Sequence, residues 1–203
     1  MLAAGLLLST AASQAAYYKV TIDTSALNLP PTSLNGPFSV DFQFNSGDTL
    51  NNNTATISNF FFSGGAAGGG GVASGPSVTG NLGGTINLAD SDAFNSYYET
   101  FTTGGIFEFE VLLSENADAG LTPDSFSFSI LDNLLENITT NGIANSLLQV
   151  DIGPGALTGG DLNLASGTGS YAGVSVAAIP EPSAALLGLA ACGFGVLRRR
   201  RSA

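Results

Sequence analysis

The chain has 203 residues, 44% of them apolar and only 10% charged, with 27 glycines, 13 phenylalanines, one cysteine, no tryptophan and no histidine. That is room for one domain of ordinary size plus sorting segments, with enough apolar residues for a core. Between residues 17 and 179 fifteen acids stand against one base, Lys19, a surface that repels a phosphate backbone and argues against nucleic acid as a partner.

The absence of histidine removes imidazole-based catalysis and imidazole metal sites. The one cysteine, Cys192, rules out an intramolecular disulfide.

The first fifteen residues read as a secretory signal peptide. Leu2 to Leu8 supply the apolar stretch, and Ser13-Gln14-Ala15 supplies small residues at the −3 and −1 positions, although no basic residue precedes them. From Tyr17 the pattern has period two, the signature of a strand with alternate side chains on opposite faces. In YYKVTID, Tyr18, Val20 and Ile22 share one face. FSVDFQFN alternates most clearly, with Phe38, Val40, Phe42 and Phe44 inward and Ser39, Asp41, Gln43 and Asn45 outward.

TATISNFFF is a third strand, and SVTGNLGGTINL predicts one or two weak strands around Gly83-Gly84. The glycine run from Gly64 to Gly71 lacks the Lys-Ser/Thr ending of a phosphate-binding loop and reads as a linker or hairpin loop. Gly167 and Gly169 nominally fit a dinucleotide fingerprint but precede a strand pattern, so that reading is discarded. Asp90-Ser91-Asp92 predicts the cap of a short helix carrying Ala93, Phe94, Tyr97 and Tyr98. IFEFEVLLS points Phe107, Phe109, Val111 and Leu113 inward, and SFSFSILD buries Phe126, Phe128 and Ile130; SLLQVDI, DLNLAS and YAGVSVAA complete the set.

Roughly eight to ten short strands with frequent turns predict an all-β fold: a single antiparallel β-sandwich, jelly-roll-like or immunoglobulin-like, over residues 16–178.

Only carboxylates remain as acid–base groups. Glu108 and Glu110 stand at i and i+2, about 7 Å apart on one strand face, a spacing that glycoside hydrolysis can use; a solvated strand face is the plainer alternative. Calcium takes hard oxygen ligands from loops, so Asp48 with Asn51, Asn52 and Asn53, or Asp90 with Asp92, are candidate calcium ligands beside their ordinary turn and cap roles. No other cofactor is expected. Tyr17, Tyr18, Tyr97, Tyr98 and Tyr171 are candidates for stacking on a sugar.

Residues 179–203 have three parts. Pro180, Glu181 and Pro182 come first; residues 183–197 are uncharged and would span about 22 Å as a helix, short of a hydrocarbon core of about 30 Å. Arg198, Arg199, Arg200 and Arg201 follow, a stop-transfer cluster that keeps this end cytoplasmic by the positive-inside rule. A transmembrane helix is the expectation, with Gly188, Gly193 and Gly195 leaving a face that another membrane protein can approach closely.

In order and kind these parts resemble the PEP-CTERM sorting signal of bacterial exported proteins. YKVTIDTSAL, VDFQFNSGD, ATISNF and ADSDAFNSYYETFT are also similar to an uncharacterised family of proteins with that signal. The resemblance implies recognition of Pro180, Glu181 and Pro182 by an exosortase-type membrane protease, a transient stay in the membrane, and delivery to the cell surface or extracellular matrix, where such proteins are associated with polysaccharide and biofilm. The expectation is therefore an exported structural protein without catalysis. The alternative is a calcium-assisted carbohydrate-binding module acting on extracellular polysaccharide.

Overall fold

The computed structural model of the chain describes residues 14–28, 36–48, 50–116, 122–138, 146–152, 161–164 and 173–179. Its strands are β1 (Gln14–Asp23), β2 (Phe38–Asn45), β3 (Thr54–Phe62), β4 (Ala66–Ser74), β5 (Thr79–Gly80), β6 (Ile86–Ala89), β7 (Phe94–Thr102), β8 (Ile106–Glu115), β9 (Asp124–Leu131), β10 (Leu148–Ile152), β11 (Asp161–Leu164) and β12 (Gly173–Ala178). A single 3-10 turn, Ser25–Asn28, follows β1. The strands form two six-stranded sheets, ordered β12-β1-β8-β3-β6-β5 and β11-β10-β9-β2-β7-β4, with every pairing antiparallel. The fold is all-β.

Alternation sets which residues meet between the sheets. Val20 and Ile22 on β1 and Phe107, Phe109, Val111 and Leu113 on β8 are buried from one side. Val40, Phe42 and Phe44 on β2 and Phe126, Phe128 and Ile130 on β9 are buried from the other. Phe42 meets Phe109 of the facing sheet edge-on, ring centroids 5.2 Å apart, and Phe109 meets Phe128 at 4.9 Å, both within the range favoured by aromatic pairs. Each fully buried Phe contributes roughly 1.5–3 kcal/mol by area, so this ring cluster is what holds the sheets face to face.

Three local expectations are corrected. Residues 94–102 form strand β7 and not a capped helix, because Asn95, Tyr97, Glu99 and Phe101 alternate inward while β2 supplies the ladder from Phe38↔Phe101 to Asn45↔Phe94. The glycine run is not a linker: β4 pairs with β7 along the edge of the second sheet. A Cβ on Gly71 would sit 1.8 Å from the Tyr97 hydroxyl, so only glycine lets these strands close over that ring. The register slips twice, between Ala67 and Gly69 and between Gly69 and Val72, which breaks up an edge otherwise open to another strand. Third, Ser39 and Asp41 on the outer face of β2 are buried, since β7 and β9 flank them with Tyr98 and Ser129 directly opposite Asp41.

β3 carries one extra residue against β8 between Ser58 and Phe61, with Asn59 at φ 54°. Asparagine tolerates that left-handed conformation better than most residues. The bulge turns the Asn59 amide toward Glu110 and leaves Phe61 exposed.

Candidate functional site

Glu108 and Glu110 do share the outer face of β8, and each is already engaged. Lys19 Nζ lies 2.9 Å from Glu108 Oε2, and the Thr21 hydroxyl donates to Oε1 at 3.0 Å. The Lys19 ammonium, as hydrogen-bond donor and nearby charge, holds the Glu108 carboxyl below its usual range, with Thr21 helping. Glu110 accepts from the Tyr17 hydroxyl and from Asn59 Nδ2 at 2.6 Å, and that contact pushes the Tyr17 phenol up. A glycosidase acid needs a raised pKa. Glu108 is a counterion to Lys19 instead.

The proposed calcium ligands separate. Asp48 closes its own turn, Oδ1 accepting from the Leu50 amide at 2.7 Å, and Asn51 is exposed. Asp92 is exposed and accepts from the Ala93 amide at 2.8 Å. Asp90 is buried, its Oδ2 accepting from the amides of Asn52 (3.1 Å) and Asn53 (2.9 Å). Its carboxyl partner is Asp124, at the start of β9, and not Asp92. Asn53 ties this end of the molecule together. Its Nδ2 donates to Asp124 Oδ2 at 2.8 Å and to the Asn116 carbonyl at 3.1 Å, while its Oδ1 accepts from the Asn116 amide at 2.8 Å and the Ser114 hydroxyl at 3.1 Å. The Gly47 amide caps Asp124 Oδ1 at 2.7 Å. Among the described residues no three acidic, cysteine or histidine side chains converge as metal ligands.

Burial raises the Asp90 pKa, and the neighbouring Asp124 adds to the shift against the two amides that lower it. The folded state therefore holds this proton more tightly than the unfolded chain. By linkage this contribution to stability is fully present below the ordinary aspartate range, near about 4, and is lost as pH rises through the raised value. Asp41, raised by its own burial, acts in the same direction. Asp90→Asn, which keeps an oxygen for the two amides, should flatten the fall in melting temperature above pH about 4. An unchanged slope across a pH series of melting curves would remove Asp90 from the account.

The outer face of the second sheet is polar where β2, β9 and β10 pair, whereas β7 and β4 add exposed Phe94 and Val72 to it. A row of Ser125, Ser127 and Ser129 on β9 runs between Asn45, Gln43 and Asp41 on β2 and, opposite the first two serines, Asp151 and Gln149 on β10. Gln43 donates to Asp41 at 2.6 Å and Gln149 to Asp151 at 2.8 Å. Of the tyrosines considered for stacking, Tyr18 and Tyr97 are core residues, Tyr17 and Tyr98 are half-buried on opposite sheets, and Tyr171 lies outside the described residues.

Glu99, which the sequence reading left unassigned, is 2% exposed. It takes the Gly69 amide on Oε1 (3.0 Å) and the Leu82 amide (2.9 Å) and Tyr97 hydroxyl (2.5 Å) on Oε2. It thus joins β4 of one sheet to the β5–β6 turn of the other, and burial with the Glu99 contact pushes the Tyr97 phenol far up. The signal that could have found it is a carboxylate at an inward position of a period-two stretch.

Pro180, Glu181, Pro182, residues 183–197 and Arg198 to Arg201 lie outside the described residues, as does the expected signal peptide up to Ser13. Among the described residues no helix is long and apolar enough to cross a membrane. The last described strand, β12, lies at the edge of its sheet beside β1, and the Ile179 amide donates to the Tyr17 carbonyl at 2.7 Å. No family model matches the chain, and neither a curated protein nor a solved structure matches it.

Proposed function

We propose that this protein is an exported, non-catalytic surface or matrix domain. Residues 1–15 direct its export, residues 183–197 hold it in the membrane, and Pro180, Glu181 and Pro182 present it to an exosortase-type protease. The observation that carries this reading is the position of β12. The last described backbone hydrogen bond of this sheet, from Ile179, falls one residue before Pro180, so removing the tail takes none of the described strands from the sandwich. Signal cleavage after Ala15 removes the β1 pairs of Gln14 and Ala15 with Glu115 and Ser114 and leaves the pairs from Ala16 to Asp23 in place. Within the all-β class we infer a jelly roll. Successive strands from β1 to β4 alternate between sheets, and the orders β1-β8-β3-β6 and β2-β7-β4 nest as two Greek keys do.

Deleting residues 180–182 should leave a longer, membrane-bound form in cell fractionation, with both termini read by mass spectrometry. Normal maturation of the deletion would sink the sorting reading.

A second reading, polysaccharide binding, is favoured by the serine row on β9 with amides and carboxylates beside it, a face rich in both donors and acceptors. A glycan array probed with the mature protein, with and without calcium, discriminates the two. Binding to no glycan leaves the structural role alone.

A further inference from the structure

We propose that the cavity at the open edge between the sheets, beside Glu99, binds a single neutral sugar unit. The cavity has a volume of about 390 Å³ and is lined by Ala67, Gly68, Gly69, Gly70, Asn81, Gly83 and Glu99, at the small end of ligand pockets. The site does not depend on the tail or on how the domain is exported.

The lining selects the ligand class by exclusion. It has no aromatic or branched side chain, so an apolar ligand gains little there. It has no base and one buried carboxylate, which repels anions. A hard divalent cation wants six to eight oxygens, whereas the one carboxylate here already accepts three hydrogen bonds. A neutral molecule with several hydroxyls satisfies what remains. The fourth lone-pair position of Glu99, on Oε1, accepts a hydroxyl proton. Asn81 spends its Oδ1 on the Gly83 amide at 2.9 Å, which leaves Nδ2 as a donor.

The glycines give the second line of argument. Gly68 and Gly71 are explained by the protein itself, because a Cβ would strike Thr100 or Tyr97. Gly69 and Gly70, at φ 77° and 75°, adopt a backbone that favours glycine, and nothing lies within 4 Å of where their Cβ atoms would be, so their backbone faces open space. The register slip there opens the ladder to β7, and the bare backbone beside the cavity is approachable by a ligand.

The test is amide chemical-shift mapping on the full chain, 15N-labelled in detergent, titrated separately with glucose, galactose and N-acetylglucosamine, with calcium chloride as a control. The expected result is saturable shifts at Gly68, Gly69, Gly70, Asn81 and Gly83 with at least one sugar, at a Kd in the millimolar range. Glu99→Gln should weaken binding about tenfold by removing the charge-assisted acceptor. Because Glu99 also joins the sheets, Asn81→Ala, at an exposed turn position, provides a variant that folds; it should weaken binding several-fold and lower the melting temperature by at most about 4 °C through the lost bond to the Gly83 amide. No saturable shift with any of the three sugars overturns the proposal. So do shifts confined to β2, β9 and β10, shifts with calcium alone, or unaltered affinity in Asn81→Ala.

Discussion

Replacing Phe42 by alanine is expected to destabilise the domain by about 3–5 kcal/mol, the largest effect of any single substitution considered for this chain. Phe42 is fully buried at the middle of β2, with the rings of Phe109 (5.2 Å), Phe128 (5.1 Å), Phe60 (6.2 Å) and Phe126 (6.4 Å) around it. Truncation removes its transfer energy and opens a cavity among aromatic rings that relax poorly into empty space. Domains commonly have only 5–15 kcal/mol in total, so the variant should lose roughly 10 °C in melting temperature. Denaturant titration provides the check. A loss below about 1 kcal/mol would mean that these sheets are not held together by the ring cluster.

Asn53→Ala comes second, at about 2–4 kcal/mol. Both polar atoms of the Asn53 side chain are fully used, and the partners left behind include the buried Asp124 carboxylate and the Asn116 amide. A buried group stripped of its partner loses more than the bond was worth, because water cannot replace it. Asn53→Asp separates packing from charge. It preserves the shape but sets a third carboxylate beside Asp90 and Asp124, so it should melt far below the parent at neutral pH and recover part of the difference in acid. Equal melting of Asn53→Asp and the parent at pH 7 would show that the carboxylates are not coupled.

The strands that were legible are those whose inward positions are all apolar. Phe38, Val40, Phe42 and Phe44, or Phe107, Phe109, Val111 and Leu113, announce their face at every second residue. β7 was hidden because two of its inward residues, Asn95 and Glu99, are polar; one donates to the Phe44 carbonyl and the other accepts from both sheets. Beside a local bond each, to Asp92 and from Tyr97, they use partners 17 to 51 residues away, which no local pattern displays. β4 was hidden for the opposite reason. A run of glycines has no side chains to alternate, and its extended conformation is imposed by β7.

The acidic cluster shows the same limit. Asp90 and Asp92 suggested a shared site by sequence proximity, yet two residues along a chain entering a strand lead to different surroundings. Asp90 found Asp124 because the turns after β2, β6 and β8 meet at one end of the sandwich. Period two places Glu108 and Glu110 on one strand face, whereas the occupation of both carboxylates by Lys19, Thr21, Tyr17 and Asn59 follows from β1 and β3 lying on either side of β8.

The pairing of β1 with β12 has a mechanical consequence. The two strands run antiparallel from Tyr18↔Ala178 to Asp23↔Gly173, so the start of β1 and the end of β12 leave the sheet at one corner. A domain tethered through Pro180 would hang from that corner, and traction along the strand axis would load its six paired positions together, in shear. Traction across the sheet would instead open them one at a time, beginning at Ala178. The direction in which the tether is pulled would then decide whether the domain resists or unzips.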